Sequence, residues 1–528
     1  MTRDTPRSPS TQLRELSGGH GADVADAPES RRARVIAAIF TSGMRLARRW
    51  RTHMSQILAK PLLAIVVLVV SLAAHAAAQT VAFVDVNVVP MDRERVALRQ
   101  TVIVQGHVIT AMGAADGVQA PENAQIVNGN GRLWLSPGLA DMHVHGTEVD
   151  DLGLYVAHGV TTVLHMGDAP SFFLSHVRPA IASGDVIGPQ MFFGMKVDGA
   201  ADYGLFHVSG VDQARAVVQI ARTNGYDFIK VYSKVGAAEF DAIVDQARRQ
   251  RMAVIGHGVV SVGLPAALFK GQVMVAHGEE FLYTAFHDEQ APDAAPGVNA
   301  VPRVAEETRR SGAFVSPTLV AYEAIARQWG RPEEVNVLLA TPEASNLTPS
   351  VRGSWSRARY GARTGDIRPR LSFLRRFTKA LADAGVPLLA GTDAPTIAGL
   401  VPGHSLHEEL RNLVESGLSR FQALSSATRN AGSFIARTRP GVAAFGTIEA
   451  GKRADLVLTL ANPLDALETL RRPVGVMVHG RWFDASTLAS FVDERKRRYQ
   501  SLEALRWTEP LAKRRPRSPP RTRGRVSR

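Results

Sequence analysis

The sequence predicts an α/β fold: a (β/α)8 TIM barrel with a small composite β-sandwich domain built from segments before and after the barrel. Three observations carry this expectation. From about Pro137 to Arg437 short apolar stretches alternate with helical ones, the pattern of a parallel sheet with helical crossovers. Eight strand candidates fall in that span, the number that closes a barrel. On either side, residues 79–135 and 438–490 are rich in Val, Ile, Thr and Gly and read as short strands broken by turns, which places one β domain across both ends.

The chain opens with a segment that stands apart from this fold. Residues 61–78, PLLAIVVLVVSLAAHAAA, form the most apolar run, flanked by Lys60 and ending in Ala76 and Ala78 before Gln79. An apolar core with a basic flank and a small-X-small ending describes a secretory signal peptide, with a core short for a membrane span. Residues 1–53 are too long and irregular for the basic region of such a signal, whereas a start at Met54 has the expected proportions. Export to a periplasm or the exterior follows, with the membrane engaged only transiently; an uncleaved anchor at 61–78 is the alternative.

Charge is distributed unevenly along the 528 residues. Residues 1–60 hold eleven basic against five acidic side chains and residues 495–528 thirteen against two, so the formal charge of +13 leaves the middle at −4. The body is therefore mildly acidic, and no specific nucleic-acid partner is expected. The stretch 491–528, rich in Arg and Pro towards its end, reads as a basic, disordered tail. With no cysteine, disulfides, thiol catalysis and Cys-ligated zinc are excluded.

Within the barrel span 136–437 the eight strand candidates are GLADMHVH, TTVLHMG, PQMFFGM, DFIKVYS, MAVIGHG, VMVAHGEE, AFVSPTL and VPLLAGTDA. Barrel enzymes carry their active residues at the C-terminal ends of strands. The first candidate places Asp141, His143 and His145 on one face, so two imidazoles point the same way beside an acid suited to fix their tautomer. The fifth ends in His257, the sixth in His277 and the eighth in Asp393. The fourth turns Phe228, Lys230 and Tyr232 to one side. An inward lysine among apolar neighbours must be paired, neutralised or chemically changed, and an ammonium has no lone pair for a metal. Salt-bridging to an inward acid, reaching past the rim to a substrate carboxylate and carboxylation by carbon dioxide are all open readings of Lys230.

Taken together and in this order, His143, His145, Lys230, His257, His277 and Asp393 resemble the binuclear metal site of the amidohydrolase superfamily. The resemblance spans roughly 80–484 and includes the PGLADMHVH opening, LLAGTDA, GHSLHEELRNLVESGLSRFQALSSATRNAG and the return through GTIEAGKRADLVL found in imidazolonepropionase-like and prolidase-like members. It implies that His143 and His145 bind one divalent ion, His257 and His277 a second, and N6-carboxylated Lys230 bridges them, while Asp393 ligates the first and handles protons. Zinc is the first choice for such imidazole and oxygen ligands, with manganese, cobalt and iron compatible. The implied activity is hydrolysis of an amide, cyclic amide or dipeptide-type C–N bond in a small-molecule substrate, by hydroxide from a water shared between the ions. Lactone hydrolysis suits the same machinery.

Two further readings are carried forward. Mononuclear deaminases of the superfamily hold a proton-shuttling glutamate three residues after the equivalent of His257, where this chain has Val260; Glu280, three residues after His277, keeps that reading open. A secreted binding protein on an inactive barrel is the non-enzyme alternative. Tyr232 is suited to donate to the substrate carbonyl or to pack at the mouth. His207 and His404 lie in loops where substrate contact is expected, while His158 and His165 read as structural and the HEEL piece at His407 as helix-face polarity. Long excursions at 281–310 and 321–370, the second with Trp329, Arg331, Arg352, Trp355 and Arg357, suit lids that set specificity. A homo-oligomer is the default expectation for a soluble enzyme.

Overall fold

The computed structural model describes residues 79–508, except 168, 202–205 and 287–297, and the side chains up to 499. The expected signal segment and the tail beyond 508 lie outside the described residues. Among those residues no helix is long and apolar enough to cross a membrane.

The composite β domain forms from both ends of the chain. Its first part supplies β1 (Thr80–Val88), β2 (Ala97–Gln105), β3 (Val108–Ala114), β4 (Gln125–Asn128) and β5 (Trp134–Pro137). The barrel strands follow: β6 (Leu139–Val144), β7 (Val160–His165), β8 (Gln190–Asp198) with its short companion β9 (Phe206–His207), β10 (Phe228–Val231), β11 (Ala253–Gly256), β12 (Gln272–Ala276) and β13 (Phe314–Ser316). The β domain is then completed by β14 (Leu456–Thr459), β15 (Gly475–Val478) and β16 (Arg481–Asp484), in the order β16-β15-β14-β5-β1-β2-β3 with β4 beside β1. Antiparallel pairing of β14 with β5, from Leu456 against Pro137 to Thr459 against Trp134, joins the two ends of the chain. Val81, Phe83, Val102, Leu135, Leu456 and Met477 share the core of this sheet.

The barrel strands run parallel in the order β6-β7-β8-β10-β11-β12-β13. Each of β6, β7 and β10 is buried at every position, as expected of a sheet covered by helices on one face and by its own interior on the other. The helix Ala237–Arg249 shows how the outer ring is held. Phe240, Ile243, Val244 and Ala247 recur at helical spacing on its buried side, with Arg248 and Arg249 in the last turn, where cations suit the helix dipole.

The eighth candidate, 386–394, closes the barrel without forming a regular strand. It makes single parallel bridges on both sides, Leu388 with Val315 and Ala394 with Val144. Met142 N donates to Ala390 O at 2.8 Å, Asp393 N to His143 O at 2.7 Å and His145 N to Ala394 O at 2.7 Å. Gly391 is demanded here: a Cβ on it would stand 2.7 Å from His143 Cβ and 2.5 Å from Ser316 Oγ.

Two stretches beyond the barrel strands take definite form. The excursion at 321–370 is a packed helical insertion, with helices Leu319–Gln328, Glu334–Leu339 and Pro349–Trp355. Its Trp355 is buried and donates from Nε1 to Pro395 O at 2.8 Å, and Arg352 donates to the Leu339 and Ala344 carbonyls, so both hold the insertion itself. The chain from 491 is not a disordered tail throughout, because the helix Ala485–Thr508 covers its first part and buries Arg495 and Tyr499.

Candidate metal centre

β6 delivers the first two candidate ligands because its alternation turns His143 inward and leaves His145 at the rim. His143 Nε2 lies 3.3 Å and His145 Nε2 3.1 Å from Asp393 Oδ1, and one ligand atom from each of the three falls within 4.8 Å of the others. His145 Nδ1 is 3.3 Å from Gly167 O and donates there, since a carbonyl oxygen only accepts. Burial opposes charge on Asp393, yet its contacts with His143 and His145 hold its carboxyl well below the ordinary range.

β11 and β12 supply the other side. The ring of His277 is 4.3 Å from that of His143 and 5.0 Å from that of His257, centroid to centroid. Thr318 Oγ1 donates to Pro317 O at 2.8 Å and so receives the Nδ1 proton of His277, also at 2.8 Å, leaving Nε2 of His277 as the open nitrogen. His257 Nδ1 stands 2.8 Å from Glu280 Oε1 in close contact rather than a linear hydrogen bond, while Glu280 Oε2 accepts from Gly258 N at 3.0 Å. Glu280 is thus turned towards His257 and Gly258 N. Burial pushes its carboxyl up to about 8.

Lys230 is 1% exposed and lies between these groups. After burial, its positive charge contributes to holding His143, His257 and His277 well below the usual imidazole range. Its Nζ is 5.5 Å from the centre of the Tyr232 ring, and that ring stacks on His257 at 3.8 Å. The structure therefore brings all six ligand types and Tyr232 into one cluster.

These residues fit divalent ions. Burial opposes charge on the three imidazoles, and His257 Nε2 is buried with no hydrogen-bond partner. Such nitrogens are costly in an apolar interior unless something coordinates them. Three residues at the site also adopt left-handed backbone that side-chain-bearing residues rarely take: His277 at φ 73°, Thr318 at φ 47° and Asp393 at φ 63°.

Other sequence expectations land elsewhere. Asp141 does not touch an imidazole ring; its Oδ2 accepts from Thr392 Oγ1 at 2.7 Å and its Oδ1 from Thr392 N at 3.1 Å and His143 N at 3.3 Å, pinning the closing segment to β6. His207 is exposed and bonds from Nε2 to Gly199 O at 2.9 Å. His404 lines a separate cleft of about 510 Å³ with His158, Arg471 and Lys496, and none of the six ligand-type residues lines it. His407 is buried, with Nε2 3.0 Å from His158 O, so HEEL packs inward rather than forming a solvated face. His165 is buried 5.8 Å from the His145 ring and stacked on Phe193.

Sequence reasoning missed Thr318 and Lys196. Nothing distinguishes Thr318 in the sequence, since any hydroxyl residue beyond a strand looks the same. Lys196 pairs across the sheet with Lys230 and lies 5.6 Å from the Tyr232 ring centre; its place in KVD at the end of a strand was the available signal.

The amidohydrolase family model matches residues 134–483. No curated protein matches this chain. Among solved structures, bottromycin amidohydrolase is similar at 27% identity and a TM-score of 0.62, covering 80% of this chain and 90% of that one. A putative prolidase from Bifidobacterium longum is 19% identical with a TM-score of 0.58, over 79% of this chain and 99% of that one. A Xaa-Pro dipeptidase with bound methionine is 21% identical with a TM-score of 0.57, over 77% of this chain and all of that one. The last two likenesses speak for the fold alone.

Proposed function

The chain belongs to the amidohydrolase family, a hydrolase acting on C–N bonds, and from that premise we propose that it cleaves a small amide, cyclic amide or dipeptide-type substrate with two divalent ions, most simply zinc. The observation that carries this reading is the convergence of His143, His145, Lys230, His257, His277 and Asp393 on one buried cluster. His143, His145 and Asp393 would hold one ion, His257 and His277 the other, and Lys230 would join them after its neutral amine attacks carbon dioxide, forming an N–C bond and releasing a proton. Bound ions supply an acidified water and polarise the scissile carbonyl.

The remaining chemistry falls to side chains of this chain. Asp393, whose carboxyl its neighbours hold well below the ordinary range, would take a proton from the attacking water and pass it to the leaving amine. Tyr232, whose ring stacks on His257, would donate from its hydroxyl to the substrate carbonyl. Glu280, turned towards His257 and Gly258 N, orients a ligand, which supports hydrolysis over a mononuclear deaminase using that acid. Lactones are a second substrate class on the same geometry. His207 and His404 are not assigned substrate contacts.

The test is purification from Gln79, metal counting, and reconstitution of chelated protein with divalent ion with or without bicarbonate. Two ions per chain with bicarbonate-dependent recovery is expected, and Lys230→Ala should lose the second ion. One ion, no bicarbonate effect and an active Lys230→Ala variant would replace this reading with the deaminase. A screen of dipeptides, N-acyl amino acids, hydantoins and lactones names the substrate. Export is proposed from residues 61–78, and mature protein beginning near Gln79 outside the cytoplasm is its check.

A further inference from the structure

The helix Ala485–Thr508 begins beyond the last residue matched by the family model. Asp484 starts it firmly, with Oδ1 accepting from Thr487 N at 2.9 Å, Thr487 Oγ1 at 2.7 Å and Ser486 Oγ at 2.8 Å. Leu488 is buried, and Phe491 packs on Phe483 with ring centres 5.7 Å apart and against Gly153 of the helix Asp151–Ala157.

One turn further on, the helix buries a charge. Arg495 is 4% exposed, and its guanidinium donates both to the carboxylate of Asp151, itself 4% exposed, and to the carbonyl of Asn346. Its plane lies over the Tyr499 ring at 5.0 Å. A buried ion pair contributes little net stability, but loss of one partner leaves the other charge stranded, so such a pair fixes an arrangement more than it stabilises a fold.

What it fixes lies next to the ligands. Only residues 146–150 separate His145 from Asp151. The far end of this connection is tied by Arg495, and its near end by His145 N to Ala394 O and His145 Nδ1 to Gly167 O. Asp151 Oδ2 is 3.1 Å and Tyr155 Oη 3.4 Å from the place a Cβ would take on Gly146, so the carboxylate held by Arg495 packs directly against the residue after His145. The second bond, to Asn346, holds the insertion whose Trp355 donates to Pro395 O just past Asp393. One guanidinium thus braces the chain on both flanks of the His143, His145 and Asp393 cluster.

We propose that Arg495 is a positioning residue for the metal-ligating triad, acting through Asp151 on the His145 connection and through Asn346 on the insertion behind Asp393. The proposal rests on the reading of those three residues as ligands. The test uses the full chain and the variants Arg495→Met, Arg495→Lys, Asp151→Asn and Arg498→Ala. Divalent-ion affinity is measured by competition with a chromogenic chelator, and amide exchange across 146–158 and 342–356 is followed in chelated protein.

Arg495→Met and Asp151→Asn are expected to weaken metal binding by about tenfold, the lower end for residues that orient ligands, and to speed exchange in 146–158. Arg495→Lys should restore protection of 146–158 but not of 342–356, because an ammonium does not reproduce the forked reach of a guanidinium. Arg498→Ala removes an exposed pair to Asp150 and should change affinity less than about twofold. Unchanged metal affinity in folded Arg495→Met, or a lowered melting temperature with wild-type exchange in 146–158, overturns the proposal. If Arg495→Met does not fold, Asp151→Asn and Arg495→Lys decide on the same readouts. A wild-type chain that binds no divalent ion would refute the ligand reading instead, and this proposal with it.

Discussion

Thr318→Val tests the ligand geometry most sharply, because it removes one oxygen and keeps the shape. Thr318 Oγ1 receives the Nδ1 proton of His277 at 2.8 Å, at a residue that is 0% exposed. Valine leaves that N–H buried without an acceptor, a cost of about 1–3 kcal/mol, and frees the ring to take the tautomer that places its proton on the ligating nitrogen. Converted to affinity at His277, this is a loss of about 10- to 100-fold, in line with deletion of partners that orient ligands. Thr318→Ser keeps the oxygen and relieves a β-branched residue at φ 47°, so it should bind metal like wild type and melt no lower. Titration of chelated protein with zinc against a competing chelator separates the two variants. Equal affinity of Thr318→Val and wild type would refute the view that this hydroxyl sets the His277 tautomer, and would weaken His277 as a ligand.

Glu280→Gln keeps the acceptor for Gly258 N and should retain metal, with turnover within about tenfold of wild type, whereas Glu280→Leu should lose about 10- to 100-fold in affinity at the His257 side. A fall of about a hundredfold or more in kcat for Glu280→Gln at full metal content would instead make this acid a proton shuttle. Tyr232→Phe should lower kcat by about a hundredfold with metal content unchanged if its hydroxyl donates in the transition state, and unchanged kcat and KM would leave it a packing ring. Glu409 lies away from the ligands, with Oε2 accepting from Val320 N at 2.7 Å, and burial pushes its carboxyl up to about 8. The folded chain therefore keeps a proton that the unfolded chain gives up, so this contribution is full below about pH 4.5 and is lost as pH rises towards about 8. Glu409→Gln should flatten the fall in melting temperature across that window, and an unchanged profile would refute the assignment.

The clustering of the candidate ligands was legible because strand alternation and barrel geometry fix where a residue at a strand end must point. His143, Lys230, His257, His277 and Asp393 follow from their places in short apolar runs. What escaped depends on partners far apart in sequence. Asp141 looked like a tautomer-fixing acid, but Thr392, 251 residues away, claims its carboxylate. The helix from Ala485 was hidden because its dense charge resembles a solvated tail, and its buried arginine is matched only by Asp151 and Asn346, more than 140 residues earlier. The closing segment read as a strand because VPLLA is apolar, although it bonds its neighbours at single points rather than by a ladder.

The two sides of the centre are held by different means, and this explains the strained backbone. His143, His145 and Asp393 are fixed by main-chain bonds across the barrel seam, with Asp393 N on His143 O and His145 N on Ala394 O. Left-handed backbone at Asp393 coincides with that bond and with its carboxylate standing between two imidazoles. His257 and His277 are aimed by side chains behind them, Glu280 and Thr318, and the strain there falls on His277 and Thr318, whose side chains bond each other. Strain of this kind persists only where surrounding contacts over-determine the conformation. Here those contacts converge on the cluster of His143, His145, His257, His277 and Asp393 at the C-terminal rim of the barrel.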